Sequence, residues 1–336
     1  VLKEVSIDEF IEKKSSYDLI IDARSPKEYR QSKIQNSVNF YALDDKEHQE
    51  IGTMYKHQGA KAKVIGASYI CRNMFSHLPT IYKDFPLGSR IGIYCARGGL
   101  RSASIAIILS NTDFIVDRLV GGYKSYRKFV LNYLENIQHE KFICLCGNTG
   151  CGKSELLNLL NPSISIEDLA NHFGSTFGSI KGEQPSQKEF QNKICAKLLS
   201  IDPKEYIFVE AESKRLGNLV QPDRFFDRTH NNSFKVLVTA PLELRIKRIL
   251  QDYKDIDEKY FLSCMAYIHP YIKKIASDEA IKAFYKNDLQ EVARILLVEY
   301  YDRVYKKPEK VDFCLHVEDI NEAKKELEAL RENLKK

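Results

Sequence analysis

No stretch of this 336-residue sequence is apolar enough to cross a membrane. The longest strongly apolar run is Ile105–Leu109, against the roughly 20 residues a spanning helix needs. Val1-Leu2-Lys3-Glu4 begins no apolar signal-peptide core. These absences set the expectation of a cytoplasmic protein with no membrane partner. Tryptophan is absent, and methionine occurs three times. The eight cysteines are Cys71, Cys95, Cys144, Cys146, Cys151, Cys195, Cys264 and Cys314. They include no Cys-x-x-Cys pair, and their spacing fits no zinc template. Neither zinc nor a disulfide framework is expected, and most of these thiols read as small buried groups. Repeats and low-complexity tracts are also missing. Charge of neither sign dominates: 51 Lys and Arg stand against 46 Asp and Glu, a net +5. That permits a polyanionic partner without requiring one. With 43% hydrophobic and 29% charged residues, general disorder is excluded.

What is present alternates strand and helix. Asp18–Asp22 reads as a buried strand, and Pro26 opens a helix after a polar turn. Arg90–Tyr94 reads as a second strand, Ser102–Ser110 as a buried helix, Phe114–Val116 as a third strand, and Tyr123 to about Asn136 as a helix. Ile137–Lys141 is a polar break, after which the pattern restarts. Phe142–Cys146, Tyr206–Glu210 and Phe234–Thr239 read as strands, Lys153–Leu160 as a helix, and Pro241 opens another helix through Leu250. From about Ala276 the chain reads as mostly helical. Its last part, Glu318–Lys336, carries Ile320, Ala323, Leu327 and Leu330 on one face. The expected fold is therefore α/β, with a parallel-sheet domain over residues 1–137. A second α/β domain with a helical C-terminal part follows over residues 138–336.

The first chemical signal is Cys95-Ala96-Arg97-Gly98-Gly99-Leu100-Arg101-Ser102, between a strand and a helix. A cysteine at a strand end, followed by a turn over a helix N-terminus, lies among backbone N–H groups. The helix dipole with Arg97 and Arg101 favours an anion there. Gly98 and Gly99 permit the backbone that aims successive amides into one cup. Cys95 is the candidate nucleophile, and Arg97, Gly98, Gly99, Arg101 and Ser102 are the candidate cradle for an oxyanion or chalcogen anion. This stretch resembles the active-site loop of rhodanese-type sulfurtransferases. Asp22-Ala23-Arg24-Ser25-Pro26-Lys27-Glu28-Tyr29 and Leu119-Val120-Gly121-Gly122-Tyr123 resemble that family's early and late signatures. The stretch is also a Cys-x5-Arg loop, the spacing of cysteine phosphatases. Tyr94 stands where those enzymes usually carry His, and the glycine pair favours the sulfurtransferase resemblance.

The second signal is Gly147-Asn148-Thr149-Gly150-Cys151-Gly152-Lys153-Ser154, a Gly-x4-Gly-Lys-Ser loop between a strand and a helix. Its N–H groups would wrap a phosphate, Lys153 would neutralise it, and the helix dipole would add to both. Ser154 offers a hydroxyl to a Mg²⁺ ion. The loop reads phosphate alone, so the rest of its ligand stays open. Cys151 fits the loop by size. Glu210, at a strand end, and Glu212 are candidate acids near it. His172, in the polar and glycine-rich run Leu169–Gly178, is a candidate substrate contact.

A rhodanese-like domain placed directly ahead of a P-loop domain resembles the tRNA 2-selenouridine synthases. The resemblance runs through Leu43-Asp44-Asp45, Gly52–Lys56, the Cys95 loop, Gly121–Arg127, the phosphate loop, Leu169–Ser175, Gln184–Gln187 and Val209–Ser213. Ala96 stands where that family usually carries Trp, and Ala211 where it often carries Asp. The resemblance implies a transferase acting on the wobble 2-thiouridine in the anticodon loop of tRNA. The sulfur is geranylated from geranyl diphosphate, and selenium from selenophosphate then replaces the geranylated sulfur. Cys95 would serve the selenium step as a perselenide-type carrier, and the phosphate loop would hold the geranyl donor's diphosphate. Lys124, Arg127, Lys128, Lys214, Arg215, Arg245, Lys247, Arg248, Lys273 and Lys274 are candidate phosphate contacts to RNA. Tyr123, Tyr126, Tyr267 and Tyr271 offer rings for base stacking. The competing reading is a sulfurtransferase joined to a P-loop nucleotidase, both acting on small molecules.

Overall fold

The computed structural model describes residues 1–336. They form two compact units, Val1–Tyr133 with Gln191–Ala196, and Leu134–Phe190 with Lys197–Lys336. Each holds a five-stranded parallel sheet flanked by helices.

In the first unit the strands are β1 (Leu2–Val5), β2 (Leu19–Asp22), β3 (Ser37–Asn39), β4 (Arg90–Tyr94) and β5 (Ile115–Leu119). Their order across the sheet is β1-β5-β4-β2-β3, all parallel. β2 is buried at all four positions, as expected of a central strand covered on both faces. The connection leaving β2 runs outward to β3, and the one leaving β4 runs the other way to β5. A crevice therefore opens between the carboxyl ends of β2 and β4, where such sheets bind ligands. The helix Pro26–Gln31 starts where the sequence places it. Ser25 and Glu28 complete a capping box there, with Pro26 in the first turn.

β1 and β3 escape a sequence reading because each is short and buries only one residue. β5 begins at Ile115 and continues through Asp117 and Arg118, whose charges hide its strand character. Asp117 is the acceptor for Lys13 Nζ (3.3 Å) and Tyr17 Oη (3.1 Å). The 26-residue helix Gly59–Asp84, with Pro79 inside it, is also absent from the sequence reading. A shorter helix, Asp45–Tyr55, packs against it.

A buried charge cluster sits beneath the crevice. Asp22 and Arg24 are 0% and 3% exposed. Arg24 donates from Nε (2.9 Å) and Nη2 (2.5 Å) to the Asp22 carboxylate, and Tyr94 Oη donates to it at 2.7 Å. The Arg24 guanidinium lies 3.8 Å from the Tyr123 ring centroid. The early Asp-x-Arg signature is thus structural: it ties the end of β2 to the end of β4.

In the second unit the strands are β6 (Phe142–Cys146), β7 (Ser163–Ile164), β8 (Ile207–Glu210), β11 (Phe234–Thr239) and β12 (Phe313–His316), ordered β12-β11-β6-β8-β7 and all parallel. A small hairpin, β9 (Arg215–Leu216) and β10 (Leu219–Val220), stands apart. Here the connections diverge between β6 and β11, which sets the crevice at the end of β6. Helices Leu242–Asp252, Glu258–Ile268, Lys274–Tyr285 and Leu289–Leu296 follow, and the last runs into a π-helical turn, Leu297–Tyr301. The C-terminal stretch is mostly helical, as expected, and β12 is the one strand within it. Only Leu315 of its four residues is buried, so its pattern is weak, and pairing with β11 creates it. The final helix, Ile320–Lys335, buries Ala323 and Leu327 as its periodicity requires. Six of the eight cysteines are buried, and Cys71 and Cys314 are exposed.

Breaking a buried ion pair by removing one charge costs about 3–5 kcal/mol. Asp22→Asn should therefore lower the stability of the first unit by that order in urea unfolding. A change below about 1 kcal/mol, the scale of solvated pairs, would show that the cluster is not desolvated.

Candidate functional site

Cys95 follows β4 directly. Its Sγ accepts the Gly99 N–H at 3.2 Å and the Ser102 hydroxyl at 3.2 Å. Gly99 opens the helix Leu100–Asn111 without a side-chain cap, which leaves the first-turn amides available to an anion. A second turn clamps the loop: Tyr123 N–H donates to the Cys95 carbonyl (2.7 Å) and Lys124 N–H to that of Ala96 (3.0 Å). Gly122, at φ +57°, makes this approach possible. A Cβ there would overlap the Cys95 carbonyl oxygen and come within 2.6 Å of the Gly98 nitrogen. Gly122 of the late signature is therefore explained by contact with the thiol loop, and Gly121 by its own φ of +73°.

The structure brings Cys95, Gly98, Gly99 and Ser102 together and separates the roles of the arginines. Arg97 is exposed. Arg101 is already engaged, its Nη1 2.6 Å from Glu28 Oε2. Burial disfavours the Glu28 charge, but Arg101 and the Ser25 amide outweigh it and hold the carboxyl below its ordinary value. Arg118, which sequence reasoning missed, donates to the Gly98 carbonyl at 2.6 Å. An arginine inside a strand is the signal that could have found it. Cys95, Arg97, Gly99 and Arg101 face a cleft of about 790 Å³, walled on its far side by Ile51, Tyr55, Ala67 and Ile70.

In the second unit, β6 leads into Gly147–Ser154 and the helix Lys153–Leu159. Lys153 Nζ donates to the Gly147 carbonyl at 2.8 Å. Arg245 braces the loop from below. Its Nε donates to the Thr149 carbonyl (2.9 Å), and its two Nη atoms grip Asp302 at 2.9 and 2.6 Å. Asn148 turns away to the same aspartate (2.6 Å). Cys151 is packed in the core. The remaining loop residues face a cleft of about 650 Å³ together with Glu167, Glu212 and Arg248. Thr149, Ile249, Tyr253 and Tyr301 form a wall that this cleft shares with an apolar slot lined by Phe177, Phe261 and Leu296.

Three carboxylates crowd the lysine. Ser154 Oγ donates to Glu167 Oε2 (2.9 Å), and the Glu167 N–H donates to Glu210 Oε1 (2.7 Å). Burial, then Glu167, pushes the Glu210 carboxyl up to about 8. Burial, Glu167 and Glu210 also raise Glu212, which hydrogen-bonds Glu167. Glu212 fits only because position 174 is glycine, where a Cβ would overlap its carboxylate. Burial opposes the Lys153 charge, but Cys151, Glu212, Glu167 and Glu210 outweigh it and lift the lysine above its ordinary value. Glu210 Oε2 is buried without a partner. These oxygens and Ser154 Oγ are hard ligands that suit Mg²⁺. They form no preassembled group of three acidic ligands, so water and substrate phosphate would complete such an ion's shell.

His172 lies outside this cleft. It is buried against Gly178 and Gly217, and burial lowers its pKa. Several candidate RNA contacts are also corrected. Tyr123 and Tyr126 are buried and cannot stack on bases, and Arg245 is locked onto the phosphate loop. Lys214 pairs with Asp223 at 2.5 Å. Tyr267 and Tyr271 are 70% and 63% exposed, with Lys273 and Lys274 exposed beside them.

A family model described as "tRNA 2-selenouridine synthase AAA domain" matches residues 140–266, and one described as "Rhodanese-like domain" matches residues 6–129. A tRNA 2-selenouridine synthase of Hydrogenovibrio crunogenus is 30% identical over 336 residues, covering 88% of this chain and 91% of its own length. Proteins of the same name from Psychromonas ingrahamii and Nitrosomonas europaea are 32% and 33% identical, each over 70% of this chain. The chain spans 64% and 63% of the length of these two relatives.

The carboxyl cluster generates a pH prediction. The Glu210 pKa rises from 4.5 to about 8 on folding. Between those values the folded chain holds a proton that the unfolded chain has released, so stability falls as pH rises through that window. In protein free of divalent cations and phosphates, Glu210→Gln should flatten this fall in denaturant midpoints measured from about pH 5 to about pH 8. Equal slopes for variant and wild type would mean that Glu210 ionises normally.

Proposed function

This chain belongs to the tRNA 2-selenouridine synthase family, and from that membership we propose that it replaces the sulfur of wobble 2-thiouridine in tRNA by selenium. The first step forms a bond between the thiocarbonyl sulfur and a geranyl carbon as inorganic diphosphate departs from geranyl diphosphate. The second joins the selenium of selenophosphate to the pyrimidine carbon as geranylthiol leaves, and water cleaves the Se–P bond to release phosphate. Alkylation turns a poor leaving group into a good one, which is the chemical reason for two steps.

One observation carries the reading: a single chain holds two anion cradles of different chemistry, one built on a thiol and one on an ammonium group. The phosphate loop would hold the diphosphate, with Lys153 stabilising its departing charge. The apolar slot at its wall holds only about 60 Å³, room for no more than the first carbons of a prenyl donor. A Mg²⁺ ion on Ser154 and the neighbouring carboxylates would help neutralise the diphosphate. Cys95, with the Gly99 amide and the Ser102 hydroxyl, would serve the selenium step, and Arg97 would attract the selenophosphate anion. Exposed Tyr267 and Tyr271 with Lys273 and Lys274 offer stacking and phosphate contacts to the anticodon loop. The site of action would be the cytoplasm, where tRNA is modified.

The test supplies thiouridine-containing tRNA, geranyl diphosphate and selenophosphate, then weighs the nucleosides by mass spectrometry. Wild type should yield selenouridine. Cys95→Ala should accumulate geranylated thiouridine, and Lys153→Ala should leave thiouridine untouched. Unchanged thiouridine with wild type would overturn the reading in favour of small-molecule sulfur transfer and nucleotide hydrolysis.

A further inference from the structure

The cleft beside Cys95 is larger and more apolar than an anion requires. Selenophosphate or a chalcogen anion needs the Gly99 amide, the Ser102 hydroxyl and a cation. Cys95, Arg97, Gly99 and Arg101 form part of the lining. The rest includes Glu28, His48 and Lys63 but is mostly hydrocarbon. Ile51 and Tyr55 come from the helix Asp45–Tyr55, Ala67 and Ile70 from Gly59–Asp84, and Leu100 from the first turn after the thiol loop. Two of these side chains are costly to leave in water: Tyr55 is 53% and Leu100 58% exposed. The helices that carry the wall pack beside the thiol loop, with Ile70 in the same core as Cys95, but the hydrogen bonds to the Cys95 sulfur come from Gly99 and Ser102. At about 790 Å³, the cleft lies within the range of sites that enclose a small organic molecule, roughly 300–1,000 Å³.

We propose that this cleft is a prenyl-binding site, in which the apolar wall receives the geranyl group of the S-geranylated base while the C–S bond faces the Cys95 cradle. This rests on the two-step reading above and adds where the leaving group is held during the second step. There the selenium of hydrogen selenophosphate bonds to the pyrimidine carbon, the C–S bond breaks and the sulfur departs with the proton as geranylthiol, and water then cleaves the Se–P bond, leaving phosphate and the protonated selenouridine ring. The wall binds the terpene and positions the sulfur that must leave. It also makes the second step selective for a geranylated substrate over one with a smaller S-alkyl group.

Position 52 allows a direct test. Gly52 lines the cleft, and a Cβ built there meets nothing within 4 Å, so a ring can be added without a clash in the helix. The full chain is given selenophosphate and an anticodon-loop RNA carrying either S-geranyl- or S-methyl-2-thiouridine, and selenouridine is followed in single turnover. Wild type should convert the geranyl substrate at least about tenfold faster, a modest share of the discrimination an apolar pocket can supply. Gly52→Phe, with Ala67→Phe as a second variant and thermal melts to verify folding, should bring the ratio of the two rates towards one. Equal rates with wild type, or an unchanged ratio in both folded variants, would overturn the prenyl site and leave the two-step reading standing. Conversion of neither substrate by wild type would overturn both.

Discussion

A strand at the centre of a parallel sheet has neighbours on both sides, so the chain leaving its carboxyl end must turn at once into a covering helix. That constraint makes both sites. The turn exposes backbone N–H groups, and the helix adds its dipole, before any side chain is considered. In the first unit it acts at the end of β4, and in the second at the end of β6. Each lies where neighbouring connections diverge. The chemistry then depends on what the turn carries: the Cys95 thiol in one case, the Lys153 ammonium in the other.

The two cradles balance charge differently. Around Cys95 the charges are largely neutralised in pairs: Arg101 with Glu28, and Arg24 with Asp22 beneath. Arg97 is left facing the cleft. Around Lys153 the acids outnumber the base, and burial pushes protons onto Glu210 and Glu212. The cleft beside Lys153 therefore carries less negative charge than three ionised carboxylates would give it. Full ionisation would repel a diphosphate, and the low dielectric of the site would make that repulsion strong.

Much of this was legible in the sequence because it is local. The thiol loop, the phosphate loop, the capped helix at Pro26 and the buried strands β2, β4 and β6 are each specified within a dozen residues. Their glycine, capping and apolar patterns act over the same span. Elements defined by distant pairing were not legible. β1, β3 and β12 bury one residue each and so show no pattern, and each exists because a neighbouring strand offers hydrogen bonds. The helix Gly59–Asp84 went unread, and with it the wall of the cleft beside Cys95. Tyr123 and Tyr126 looked like stacking platforms and are core residues. Arg245 looked like a surface cation and is a brace beneath the phosphate loop.

The sequence by itself determined where the two glycine-rich turns lie and which side chain, the Cys95 thiol or the Lys153 ammonium, each presents, because backbone turns and helix starts are set by residues adjacent in the chain. Only the tertiary structure decided which charges are neutralised, which rings are covered and what shape surrounds each reactive atom. Those properties depend on desolvation and packing by segments far apart in sequence: Glu28 on Arg101, Arg118 on Gly98, Asp302 on Arg245. No local pattern encodes such partners, since each contact comes into being only when the fold brings the segments together.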